Sequence, residues 1–283
     1  MDVRKADFSG SWYPANPSEC EDEIKRFLKE AVSISTPGDK LTGGIVPHAG
    51  WYFSGSIACN VISCLKDDAF LDAFIIFGMH LHPGSSSYLM KEGAWETPFG
   101  EILVEEAIAG ELASRFSFKI EKRGSFTRDN TIELQLPFVK YFFEHTKIVP
   151  IGVPPSKEAI EIAKAVADIS RQLGLRIKVL GSTDLTHYGL NYGFEPEGSG
   201  TSAVDWVREK NDRRVIDAML AMDPQRVIDE ALTNQNACCA GAAASAIALA
   251  KEFGATNAEE IIYSTSYEKS PGSSFVGYVG VVF

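Results

Sequence analysis

Residues 73–84 read AFIIFGMHLHPG. The first six are apolar or glycine, with no alternation of polar and apolar positions. A strand buried on both faces needs such a run, and it belongs to a parallel sheet covered by helices on each side. His80 and His82 follow at once, in a loop closed by Pro83 and Gly84. The stretch therefore reads as a central strand that carries imidazoles past its carboxyl end.

The same grammar recurs on either side. Residues 43–47 (GGIVP) read as a short buried strand running into His48. Further strands are expected at 118–122, 147–153 and 176–181. Helices are expected at 19–32, with Ile24, Phe27, Leu28 and Ala31 on one face, and at 55–66, 105–115 and 156–172. Residues 130–143 look helical with Pro137 as a kink or restart. Irregular residues 84–104 suggest a hairpin around Glu96–Gly100. Helices near 203–220, 223–232 and 239–252 precede closing strands at 260–265 and 275–283. Strands alternating with helices predict an α/β fold, a largely parallel central sheet flanked by helices, with the closing strands as an antiparallel edge. No repeat or linker divides residues 1–283, so one domain is expected; the glycine-rich GFEPEGSGTS (193–202) reads as a loop.

The formal net charge of −11 argues against a general nucleic-acid binder, which needs a basic face for phosphates. The longest apolar run, AAASAIALA (242–250), is too short to cross a bilayer, and no apolar leader follows the N-terminus. A cytoplasmic protein without membrane or nucleic-acid partners is expected. The cysteines, Cys20, Cys59, Cys64, Cys238 and Cys239, are odd in number and show no disulfide framework. Cys59 and Cys64 read as packing residues on a helix.

Four of the five histidines follow predicted strands: His48, His80, His82 and His187. Ligands of open α/β sheets sit outside the carboxyl ends of the strands, so three loops would bring imidazoles to one rim. His80 and His82 are two apart and point to opposite sides of an extended loop, so one of them faces the site. His145 ends an amphipathic helix and reads as a cap or surface residue. Cys238-Cys239, in NACCAGAAASAIALAK, precedes a helix whose N-terminus stabilises a thiolate, a form that ligates metals. The bland alternative is two small fillers. Asp184, in GSTDLTHYG, reads as a ligand, a partner of a histidine or a helix cap. Glu133 faces either site or solvent. No Walker loop, dinucleotide fingerprint, H-E-x-x-H or G-x-S-x-G elbow is present, so nucleotide cofactors and serine hydrolysis lack support.

Taken together, SGSWYP (9–14), PHAGWYFSG (47–55), the loop at 78–84, IELQLPF (132–138), STDLTHYG (182–189) and NACCAG (236–241) resemble the Memo family, whose prokaryotic members are often called AmmeMemoRadiSam system protein B. The resemblance spans nearly the whole chain. It implies a fold similar to class III extradiol dioxygenases and a pocket of two histidines and one cysteine. Carried over, His48, His80 and Cys238 are the metal ligands, with His82 open as the second histidine and Cys239 standing where glycine is usual. Asp184 and His187 match the family's S-D-x-x-H pair and Glu133 its I-E motif, and these three are the expected catalytic residues; Trp12, Trp51, Tyr52 and His82 would wall the pocket. Asn130 stands where many members carry histidine. Iron or copper is implied, with zinc less favoured. The substrate would be a small molecule or peptide, and partners by family association would be a radical SAM protein and an AMMECR1-type protein. A competing reading is a non-enzymatic peptide- or partner-binding module.

Overall fold

A computed structural model describes residues 2–29, 34–35, 40–67, 70–122 and 124–283. In chain order the elements are β1 (Val3–Arg4), α1 (Pro17–Phe27), β2 (Gly43–Val46), α2 (Trp51–Cys64), β3 (Ala73–Gly78), β4 (Ser87–Met90), β5 (Ala94–Thr97), β6 (Gly100–Leu103), α3 (Glu106–Arg115) and β7 (Phe118–Glu121). They continue as α4 (Asn130–Glu133), α5 (Leu136–Phe142), β8 (Lys147–Gly152), α6 (Lys157–Leu173), β9 (Ile177–Ser182), β10 (His187–Tyr188), α7 (Thr201–Trp206), α8 (Asp212–Leu220), α9 (Pro224–Asn234), α10 (Ala240–Glu252), β11 (Glu259–Thr265) and β12 (Phe275–Val282).

Strands β2, β9, β3 and β8 lie side by side and parallel. Every residue of β2, β3 and β9 is buried, as the apolar run at 73–78 predicts. The sheet as a whole is mixed. On one flank β12 runs antiparallel to β2 and also pairs with β10 and β11. On the other, β4 runs antiparallel to β8 and parallel to β7. The closing strands are thus antiparallel as expected, but β12 is an interior strand. The expected hairpin is β5–β6, and β1 joins it as a small second sheet.

Register decides what the rim holds. Val46 pairs with Ser182, and Ile45 pairs with Gly181, which also pairs with Phe77. Three parallel strands therefore end level. Their next residues, Pro47-His48, Met79-His80 and Thr183-Asp184, leave from one edge.

Helices cover both faces. A Cβ on Gly44 would press on Val61 of α2, and one on Gly181 would press on Ala243 and Ala246 of α10. Gly181 is level with Ile45, the neighbour of Gly44. Adjacent strand residues point to opposite faces, so α2 and α10 lie on opposite sides of the sheet.

Two helices differ from expectation. Helix α2 begins at Trp51 rather than near Gly55, because Gly50 takes the cap position and Trp51 N–H donates to Trp12 O. Helix α1 ends at Phe27 with Leu28 as its cap; the expected extension to residues 30–32, with Ala31, lies outside the described residues. The 130–143 segment splits into α4 and α5. Pro137 sits in the first turn of α5, where its missing N–H costs nothing. No helix among the described residues is long and apolar enough to cross a membrane.

Candidate metal centre

His48 and His80 leave the ends of β2 and β3, and Cys238-Cys239 immediately precede α10. One ligand atom from each of these residues lies within 4.8 Å of all the others. His48 Nε2 is 3.3 Å from Cys238 Sγ, His80 Nδ1 is 3.4 Å from Cys239 Sγ, and the sulfurs are 3.7 Å apart. The imidazole rings meet edge to face at 4.9 Å. His48 is buried and His80 lies at the exposed rim.

Local chemistry presents these atoms. Met79 takes a left-handed φ of 71°, which turns the chain sharply after β3. A side chain in that conformation costs ~1–2 kcal/mol, so the surroundings must impose it. Its N–H is held by Thr131 Oγ1 at 2.7 Å. At α10, Cys239 N–H donates to Thr183 Oγ1 at 3.0 Å and Cys238 N–H to Asp184 O at 3.1 Å. The rim after β9 thereby grips the cysteine pair.

Hydrogen bonds also set both tautomers. Ser182 Oγ donates its single proton to Thr131 O at 2.7 Å. His48 Nδ1, 3.0 Å away, must then donate to that oxygen, and Nε2 is left to face Cys238. Asn130 Nδ2 donates to His48 O at 3.0 Å, which turns its Oδ1 toward His80 Nε2 at 3.3 Å. His80 Nε2 is the donor there, so Nδ1 faces the sulfurs. Metal-ligating histidines are commonly oriented through their other ring nitrogen in this way.

Charge follows geometry. Burial opposes a charged His48, but Asp184 and the Cys238 sulfur outweigh it and push the imidazole up to about 9. His48 Nε2 lies 4.0 Å from Asp184 Oδ2, and Asp184 Oδ1 accepts from His48 N–H at 2.7 Å. Burial likewise opposes ionisation of Cys238, yet the Cys239 thiol, His48 and His80 hold it well below the ordinary thiol range. Burial and the neighbouring Cys238 push Cys239 well above it. The two sulfurs are thus driven apart, Cys238 toward the thiolate and Cys239 toward the thiol. The cluster's donors also fit a transition metal. A tetrahedral ion with ~2.1 Å bonds to nitrogen and ~2.3 Å bonds to sulfur has nitrogen–sulfur edges of ~3.6 Å and a sulfur–sulfur edge of ~3.8 Å.

The two histidines of the cluster, without the cysteines, border a cavity of about 620 Å³. His187 and Asp184 line it with His48 and His80. His187 Nδ1 donates to Leu185 O at 3.1 Å, so the neutral ring has Nε2 unprotonated. Trp12 and Tyr52 stand at the exposed margin. Lining residues not foreseen from sequence are Phe53, Tyr192, Tyr278 and Ser266. They come from α2, the turn after β10 and the β11–β12 region, so only the tertiary fold collects them.

Three expected site residues, Trp51, His82 and Glu133, lie off the cavity. Trp51 does not wall the cavity. As the first residue of α2 it turns inward, stacks on Phe138 at 4.1 Å and donates its indole N–H to Leu134 O at 3.2 Å. His82 is exposed and off the cavity lining, which leaves His80 as the site histidine of the pair. Glu133 is fully buried and also off the lining. Its carboxylate accepts from Asp7 N–H at 2.9 Å, Phe8 N–H at 2.7 Å and Tyr13 Oη at 3.0 Å, pinning the N-terminal segment. Of the three readings of Asp184, the structure supports the partner of a histidine: it accepts from the His48 N–H and lies 4.0 Å from His48 Nε2.

The sequence profile of Memo-like proteins matches residues 4–282. A MEMO1 family protein of Pyrococcus furiosus is 32% identical over 99% of this chain and 98% of its own. Another, from Thermococcus kodakarensis, is 32% identical over 99% of each chain, and one from Thermococcus onnurineus is 30% identical over 99% of each. Among solved structures, an uncharacterized protein from Escherichia coli K12 aligns with a TM-score of 0.49 and 11% identity over 86% of this chain and 99% of that one, too slight a likeness to bear on fold or function. Matching a family profile along almost its entire length, the chain belongs to the Memo-like protein family.

Proposed function

We propose that His48, His80 and Cys238 hold a transition metal, iron or copper in preference to zinc, and that the chain is a metal-dependent oxidoreductase acting on a small molecule in the adjoining cavity. The observation that carries this reading is the convergence of imidazole and sulfur donors from separate loops within 4.8 Å of one another. Imidazole with thiolate suits borderline-soft metals. Bound there, such an ion supplies Lewis acidity and one-electron chemistry. The protein's own contribution is preorganisation. Ser182 and Asn130 fix which nitrogens the histidines offer, and Asp184 holds the His48 backbone. His187, with Nε2 unprotonated, stands on the cavity wall as a group able to take a proton from a bound molecule. Trp12 and Tyr52 supply flat apolar surface at the entrance.

Elemental analysis of protein purified without added metal tests the reading. Near-stoichiometric iron or copper is expected in the wild type, with loss of most of it in His48→Ala and Cys238→Ser. Equal metal content in all three proteins sinks it. The exposed aromatic margin favours a second reading, a pocket that binds a peptide or partner protein. Reproducible capture of one partner by metal-free protein, lost on Trp12→Ala, would favour that reading over the first.

A further inference from the structure

We infer that Cys239 is a fourth ligand, so that the resting site is a closed shell of two imidazole nitrogens and two thiolates that selects a thiophilic d10 cation of the copper(I) or zinc class. The inference rests on the shared-metal reading above, keeps copper and replaces its iron alternative with zinc. Three ligands would leave a position open for water, oxygen or substrate. A fourth donor within bonding reach removes that position.

The geometry singles out Cys239. Its sulfur is as near to His80 Nδ1, at 3.4 Å, as the Cys238 sulfur is to His48 Nε2, at 3.3 Å. The sulfur–sulfur separation of 3.7 Å matches the ~3.8 Å edge of a tetrahedral dithiolate ion. The four donors therefore lie within reach of one ion, with Cys238 against His48 and Cys239 against His80. Cys239 is also held in place. Its backbone N–H is fixed by Thr183, and its side chain is buried at 3% exposure, so its sulfur has little freedom to turn away. An uncommitted buried thiol would be a small apolar filler, with no reason to lie on an imidazole nitrogen. Two thiolates and two imidazoles in a tetrahedral arrangement favour d10 ions over iron(II), which suits sites with open positions and harder ligands. A molecule in the cavity would then reach the metal only after one donor swings off. Exposed His80, at the rim, is the one with room to do so.

X-ray absorption on chelator-stripped, reduced full-length protein reloaded with one equivalent of zinc counts the sulfurs directly. Two sulfurs and two nitrogens are expected at the metal. One sulfur with added oxygen overturns the inference while leaving the metal site intact. Failure of the wild type to bind zinc or cobalt overturns the inference, while iron or copper retained on purification leaves the metal reading standing. As a second measurement, cobalt(II) is titrated into wild type, Cys239→Ser and Cys239→Gly. The thiolate-to-cobalt charge-transfer absorption per bound cobalt is expected to fall by about half in both variants, and affinity by about 10- to 100-fold or more. Unchanged absorption and affinity overturn the role of Cys239. Circular dichroism of the apo variants separates a ligand effect from misfolding, and the wild-type absorption data stand even if both variants unfold.

Discussion

Asp212 is fully buried, and its carboxylate accepts from Thr186 N–H, Thr186 Oγ1 and Tyr263 Oη. Burial outweighs these donors and raises it from 3.8 to about 7. The folded state therefore holds this proton more tightly than the unfolded chain. Stability from this group is full below pH ~4, declines as pH rises toward 7 and is level above that. The decline is on the order of 4 kcal/mol. Melting temperatures of wild type and Asp212→Asn at pH 5 and pH 8 check this: the variant is expected to lose less on going to pH 8, and parallel losses would refute it. Little of this is legible in the sequence. The WVREKNDRR run looks like a solvated charged face, and only packing against Gly277, where a Cβ would lie 2.0 Å from Asp212 Oδ2, puts one of its acids in the core. Trp51 and Glu133 teach the same lesson. Both sit in motifs that carry the family resemblance, yet their side chains face inward, because neighbouring helical positions differ by a large rotation and one register step decides wall or core.

Among the elements, α10 does most to build the site. Its sequence AGAAASAIALAKE is almost entirely buried, and its small side chains let it lie close against β9. Gly181 makes the approach closest: a Cβ there would lie 2.7 Å from Ala242 O and 2.8 Å from the Ala246 methyl. Gly181→Val should force α10 outward and cost roughly 1–3 kcal/mol by overpacking. Because Cys238 and Cys239 ride on the start of that helix, zinc affinity should fall as well. Denaturant midpoints together with a zinc titration check both; a destabilised variant with wild-type affinity would show that the cysteines are held by Thr183 and Asp184 alone. The helix itself was readable from its alanine run past Gly241. Its closeness to β9 was not, since Gly181 reads in sequence as one more strand residue.

For the whole molecule, the site is a junction. The candidate donors come from positions 48, 80, 238 and 239, and a shared ion would tie three segments far apart in the chain. An ion that binds only the folded state stabilises it by mass action, by about 3 kcal/mol at a free concentration of 100 times Kd. Stripping the metal with a chelator should lower the melting temperature by several degrees, at about 2–4 °C per kcal/mol for a chain of this size, and His48→Ala should abolish that response. A response that persists in the variant would place the stabilising metal elsewhere. The sequence by itself determined the alternation of strands and helices, the buried central strands, the rim on which His48 and His80 stand, and the helix behind the cysteine pair. These follow from local periodicity and from residues with strong backbone preferences. Only the tertiary structure decided between His80 and His82, brought Cys239 level with Cys238 as a donor, sent Trp51 and Glu133 into the interior, and set β12 inside the sheet. Those outcomes depend on strand register and on which helix face meets the sheet, quantities fixed by contacts between segments more than a hundred residues apart.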